Sequence, residues 1–160
     1  MHALRRLFLV SLGGLLAIPT TYAASSGKTA AACNVVISSL IFPTYDSIAH
    51  SRSSAIGTVQ IDCPPEVVSI NPRLLVSSGR SGHFLERRMT SGEDSLRYNL
   101  YLEPSHVRVA GDGTGGSAAI TSPSAQSRGH FIYTIYAIIL PGQTVRPGQY
   151  SDDLTIQMEF

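Results

Sequence analysis

The sequence carries a period-two row at its end. Leu154, Ile156, Met158 and Phe160 alternate with Asp153, Thr155, Gln157 and Glu159. A β-strand points successive side chains to opposite faces, so this pattern predicts one apolar and one wet face. Terminal residues usually fray. Here the last residue is the fourth apolar member of the row, so the end of the strand is expected to be packed. A strand of this kind needs a neighbour along each edge, and the sequence leaves open what pairs with its second edge.

The rest of the chain is read as strands. Residues 34–42 form a first strand, with Val36, Leu40 and Phe42 on one side and Val35, Ile37 and Ile41 on the other; Pro43 ends it. Residues 46–54 read as a polar loop. Residues 57–63 alternate cleanly, with Val59, Ile61 and Cys63 inward, and Pro64-Pro65 stops them. Residues 67–70 and 73–77 are short β-like runs, 78–82 a turn, and 86–89 a short piece of ambiguous type. Residues 95–103 place Leu96, Tyr98, Leu100 and Leu102 on one face. Residues 110–129 form a long Gly/Ser/Thr loop. Residues 131–140 are apolar on both faces, as suits a central strand. Helical periodicity over three turns is absent after the N-terminal stretch. Six or seven short strands separated by turn signals predict an all-β, immunoglobulin-like sandwich. The core Trp common in such domains is missing, because the chain has no Trp.

The N-terminal stretch is of another kind. Arg5 and Arg6 precede an apolar run, 7–18, too short to span a bilayer comfortably. Thr21 and Ala23 then supply small residues. This is the pattern of a secretory signal peptide cleaved between Ala23 and Ala24. The expected organisation is a signal peptide at 1–23, a short leader at 24–32 and one domain at 33–160. Without Arg5 and Arg6, the 12 basic residues fall to ten against 11 acidic ones. Such a balance gives no attraction to nucleic acid or to an anionic membrane.

Cys33 and Cys63 are the two cysteines. In an exported chain they are expected to form a disulfide. Closing a loop of about 30 residues contributes about 3–4 kcal/mol in the chain-entropy account. Two buried free thiols are the alternative; a zinc site lacks the paired His that would complete a tetrahedron.

No catalytic constellation emerges, and the chain is not expected to be an enzyme. The histidines at 2, 50, 83, 106 and 130 are scattered, with no H-x-x-x-H or H-E-x-x-H spacing. Lone loop histidines are usually solvated. Gly79-Arg80-Ser81-Gly82-His83 lacks the spacing and the strand–turn–helix setting of a nucleophile elbow. Residues 111–116 lack the Lys-Ser/Thr of a phosphate loop and the acidic ladder of a calcium loop. Glu86, Glu93, Asp94, Asp152 and Asp153 read as surface charge. No cofactor, metal or small-molecule substrate is expected.

Several ordered pieces are more specific. These are Cys33; Phe42-Pro43-Thr44-Tyr45-Asp46; residues 57–63; Arg88-Met89; and Leu96-Arg97-Tyr98-Asn99-Leu100-Tyr101. They continue with Gly111-Asp112-Gly113-Thr114, Ile135-Tyr136-Ala137, Pro141, Gln143 and Gly148-Gln149-Tyr150-Ser151-Asp152. In this order they resemble the spore coat protein U domain family, which includes the Csu-type pilins of archaic chaperone–usher pili. Pro43 and Ala137 stand where that family commonly has Gly, and Val109-Ala110 where it has Trp.

The resemblance implies an immunoglobulin-like sandwich that lacks its last strand. A groove beside the terminal strand, 150–160, would be lined by Leu154, Ile156, Met158 and Phe160, with 36–42 as the opposite wall. A periplasmic chaperone, and then a neighbouring subunit delivered at an outer-membrane usher, would each supply the missing strand. The implied function is an exported structural subunit of a pilus or surface coat, serving adhesion and biofilm formation. The alternatives are a surface-binding module at a fibre tip and a self-contained secreted β-domain. The leader 24–32 holds only alanines as apolar residues, so the subunit is expected to receive a strand and donate one poorly.

Overall fold

The computed structural model describes residues 33–64, 72–121, 123, 125–127 and 129–159. The expected signal peptide with its Ala23–Ala24 cleavage point, the leader 24–32, the run 67–70 and Phe160 lie outside the described residues.

The described residues form eight strands in order: β1 (Asn34–Ile37), β2 (Ser53–Asp62), β3 (Arg73–Val76), β4 (Arg87–Ser91), β5 (Asp94–Tyr101), β6 (Ala125–Ser127), β7 (His130–Ile139) and β8 (Ile156–Glu159). Two 3-10 turns, Gly79–Ser81 and Phe84–Glu86, are the helical elements among the described residues. The main sheet runs β1-β2-β7-β5-β4, with β6 also on β7, and a second sheet pairs β3 with β8. Every strand pairing is antiparallel. The result is the expected all-β sandwich of immunoglobulin-like type.

The pleat explains the core. On β2 the inward residues Ala55, Val59 and Ile61 are buried; on β7 they are Phe131, Tyr133, Ile135, Ala137 and Ile139; on β5 they are Leu96, Tyr98 and Leu100. β7 sits between β2 and β5, as a central strand should. Leu74 and Val76 of β3 cover this face from the second layer and are themselves buried. Backbone bonds from Leu74 to Ile120 (2.9 Å each way) and from Val76 N–H to Gly111 O (3.1 Å) pin the inner edge of β3 to the long loop.

The first strand is shorter than its sequence pattern predicts, and its register changes. Val35 and Ile37 stand opposite Ile61 and Val59, so they face inward and Val36 faces out. The ladder then ends at Ser38, whose Oγ accepts the Thr58 N–H at 2.7 Å. A side chain thus takes the place of the next ladder carbonyl. Past that kink, Leu40 and Phe42 turn inward onto the core and Ile41 is exposed. Val36 therefore does not share a face with Leu40 and Phe42: a one-residue slip flips every later side chain.

The ambiguous piece at 86–89 proves to be the start of β4, with Arg87 fully buried. Its guanidinium donates to Ser77 O (2.8 and 3.1 Å), Ala110 O (2.8 Å), Asn99 Oδ1 (2.8 Å) and Phe84 O (3.3 Å). It also lies 5.3 Å from the centre of the Phe84 ring. Burial pulls its pKa below the usual guanidinium value, against the opposing pull of Tyr98, Asp152 and Asp112. The planar fork gathers carbonyls from three chain segments that no strand pairing could satisfy. At the far end of β7, Tyr45 Oη accepts the Gln143 N–H at 2.9 Å, and the Gln143 side chain bonds both Arg97 N–H (2.8 Å) and Arg97 O (2.9 Å). Two of the family-like residues thus anchor the 43–45 and 141–143 loops.

Candidate functional site

The core is not closed everywhere. Ile61 and Val59 are 0% and 1% exposed, while their partners on β1, Val35 and Ile37, are 41% and 54% exposed on the same face. Among the described residues, no strand of the second layer covers β1. Across the opening, Leu154, Ile156 and Met158 are each half-buried, whereas Asp153, Thr155 and Gln157 are exposed. Between these two rows lies a groove of about 440 Å³. One wall is formed by Ile37 through Leu40 and Phe42, the other by residues 150–154 and Ile156. Its floor is apolar, made by Val59, Val76, Met89, Leu100 and Ile135.

Each wall meets a strand edge: Ile37 ends β1 and Ile156 begins β8. Among the described residues, β8 pairs with β3 and β1 pairs with β2, each on one side alone. An unpaired edge presents a row of backbone N–H and C=O groups to any extended chain that fits. The groove therefore offers two backbone edges flanking an apolar trough.

The terminal strand is built in two pieces. Ser151 pairs with Thr90 at the edge of β4, through N–H···O bonds of 2.9 and 3.1 Å. Residues 152–155 carry no ladder, and β8 begins at Ile156, opposite Val76 of β3. The chain thus crosses from one sheet to the other within four residues, which is why the expected strand 150–160 is not continuous. Thr155 is held at the crossing: its N–H donates to Ser77 Oγ (2.9 Å) and its carbonyl accepts the Ser77 N–H (2.9 Å). Asp152 takes three hydrogen bonds, from Tyr98 Oη (2.8 Å), the Arg80 N–H (3.0 Å) and the Asp153 N–H (2.9 Å). Burial, and then the bond to Asp152, push the Tyr98 hydroxyl pKa well above its usual value. Arg80 also pairs with Asp153 through its guanidinium. Phe42 meets the Tyr98 ring edge-on, with centres 6.1 Å apart.

The sequence-predicted residues fall out as follows. Leu154 and Ile156 line the groove. Met158 continues the row opposite Leu74 and packs on the core beyond the groove lining. Phe160 lies outside the described residues. Cys33 and Cys63 form a disulfide, with S–S 2.00 Å and Cα–Cα 4.2 Å. It ties the start of β1 to the end of β2, one position from the Asn34–Asp62 pair. Sequence reasoning missed Tyr98, Gly79 and Arg80 as neighbours of the terminal segment, and read Asp152 as surface charge. The signal was present in the two ordered motifs that contain Tyr98 and Asp152. Two histidines are also engaged: His130 pairs with Asp62, and His106 packs edge-on to Tyr101 at 5.1 Å.

The sequence profile of the Spore Coat Protein U domain matches residues 20–157. Among solved structures, the chain is similar to one in the CsuC–CsuE chaperone–tip adhesion subunit pre-assembly complex from archaic chaperone–usher Csu pili of Acinetobacter baumannii. That likeness has a TM-score of 0.56 at 20% identity and covers 81% of this chain and 39% of that one. The chain thus spans well under half of that neighbour's length, and the likeness supports the sandwich fold. No curated relative matches the sequence. With its matched residues spanning most of the length and its fold shared with a pilus assembly complex, the chain belongs to the spore coat protein U domain family.

Proposed function

We propose that this chain is an exported structural subunit of a chaperone–usher-type pilus or surface coat, assembled by strand addition and serving adhesion and biofilm formation. The observation that carries this reading is the uncovered inner face of β1 beside buried Val59 and Ile61, facing the half-buried row of Leu154 and Ile156. Covering the exposed half of a side chain such as Ile37 contributes about 1 kcal/mol. A strand closing over both rows gains several such contributions, and its backbone pairs with both edges. Left open, the same edges favour aggregation. A periplasmic chaperone is the partner expected first, with an outer-membrane usher and neighbouring subunits afterwards. The disulfide accords with an oxidising compartment.

The test is export of the chain with and without its cognate periplasmic chaperone. The reading predicts soluble chain only as a complex with that chaperone, and loss of the complex in Ile156→Asp. A wild-type chain that accumulates as a soluble monomer and ignores the chaperone contradicts it.

A further inference from the structure

One wall of the groove is held by side chains where its strand pairing lapses. Between Ser151, in ladder with Thr90, and Ile156, in ladder with Val76, the terminal segment has no strand pairing of its own. Over this gap Leu154 lies between two tethers, the Ser77 bonds to Thr155 on one side and the Asp152 carboxylate on the other. The carboxylate reaches three places at once: the Tyr98 hydroxyl on β5, the backbone of Arg80 in the 3-10 turn, and the next residue of its own segment. Asp152 also lines the groove. The opposing surface is built to admit it. Gly79 has φ +68°, and a Cβ there would lie 2.1 Å from Asp152 Oδ2. A side chain at position 79 would displace the carboxylate, so the turn is shaped around it.

We propose that Asp152 is the positioning residue of the acceptor groove: clamped by Tyr98 and the Gly79–Arg80 turn, it sets the crossing of the terminal segment so that Leu154 and Ile156 present one continuous apolar row to an incoming strand. This rests on the strand-addition reading above. Asp152 acts through the segment it holds, while the incoming chain contacts Leu154 and Ile156. The occupant it favours is an extended peptide with alternating apolar residues, since only a period-two partner follows both walls.

The experiment uses the exported chain, unfolded with its disulfide intact and refolded with a dansyl-labelled nine-residue peptide alternating Ile/Val with Thr/Ser. The isolated complex is diluted into excess unlabelled peptide and the release rate is read by fluorescence. Wild type is expected to release the peptide slowly. Asp152→Ala is expected to release it at least tenfold faster and Tyr98→Phe several-fold faster, with Asp152→Asn recovering part of the loss because an amide oxygen can still accept the Tyr98 or Arg80 bond. Circular dichroism of each complex controls for the fold, and Tyr98→Phe, which removes a single hydroxyl, serves if Asp152→Ala does not refold. Equal release rates in folded variants overturn the role of Asp152 and leave the groove reading intact. Failure of the wild-type chain to hold any peptide overturns the groove reading and this proposal together.

Discussion

Val35 stands directly opposite Ile61 across the β1–β2 ladder, on the same face of the sheet, yet Ile61 is fully buried and Val35 is 41% exposed. Two neighbours on one face differ this much only if the layer above stops between them. The second layer, β3 with β8, covers β2 and stops short of β1. The groove opens at the next inward pair along this ladder, where Ile37 stands opposite Val59.

Placing a charge on the apolar row should abolish strand capture with little effect on the rest of the sandwich. Ile156 lines the groove and is only half-buried without an occupant. In Ile156→Asp a carboxylate would have to be buried unpaired when a strand docks, and the apolar contact of the half-exposed side chain, about 1 kcal/mol, would be lost as well. Peptide binding by fluorescence anisotropy should weaken at least 100-fold. An exposed control on the same segment, Gln157→Ser, should bind as wild type does.

The disulfide should matter more than its half-exposed position implies. Cys33 and Cys63 lie 30 residues apart, and the bond secures a four-residue edge strand. Cys33→Ala with Cys63→Ala should lower the stability of the strand-filled protein by about 3–4 kcal/mol on the loop-closure account. Equilibrium unfolding in urea, compared with the oxidised wild type, measures this. Because β1 is a wall of the groove, peptide affinity should fall too.

Arg87 should be the least replaceable charged residue. Arg87→Met leaves the carbonyls of Ser77 and Ala110 without their donor and Asn99 Oδ1 with the Leu100 N–H as its remaining one, at a cost of about 2–4 kcal/mol. Arg87→Lys should rescue little, since a point ammonium cannot span acceptors reached by a planar fork. Yield of folded protein and urea midpoints report both.

Acid should weaken the fold in a defined window. The His130 hydrogen bond holds the Asp62 carboxyl below its ordinary value of 3.8, and the bond from the Arg108 backbone does the same for Glu103 against 4.5. A carboxylate depressed in the folded state contributes stability that is fully present above its unfolded pKa and is lost as pH falls through the folded one. Stability should therefore be flat with respect to these groups near neutrality and decline below about pH 4. Asp62→Asn should flatten part of that decline in a urea-midpoint series against pH.

Much of this architecture is legible in the sequence because most of it is periodic. The alternations on β2, β5 and β7 read directly as inward and outward faces, and the terminal row of Leu154, Ile156 and Met158 is oriented as its spacing predicts. Periodicity fails where a side chain interrupts the ladder. Ser38 takes the Thr58 N–H and shifts the first strand by one residue, so Val36 and Leu40 part company. Asp152 and Ser77 take the place of ladder bonds over 152–155, so the last strand breaks in two. Arg87 defeats the pattern for another reason: a cation at a core position is favourable only once distant carbonyls converge on it, and no local window contains them. The groove itself is a relationship between residues more than 100 positions apart, and the motifs pointed to it before any spacing could.

Backbone amide hydrogen exchange, with and without the alternating peptide, tests the missing-strand claim most directly. Without peptide, amides at 39–42 and those of 152–159 that are bonded neither to β3 nor to a side chain should exchange rapidly while those of β2 and β7 are protected. Bound peptide should slow exchange along both walls together. Strong protection of both edges in the free chain, unchanged by peptide, would mean the sandwich is already complete and would contradict the account.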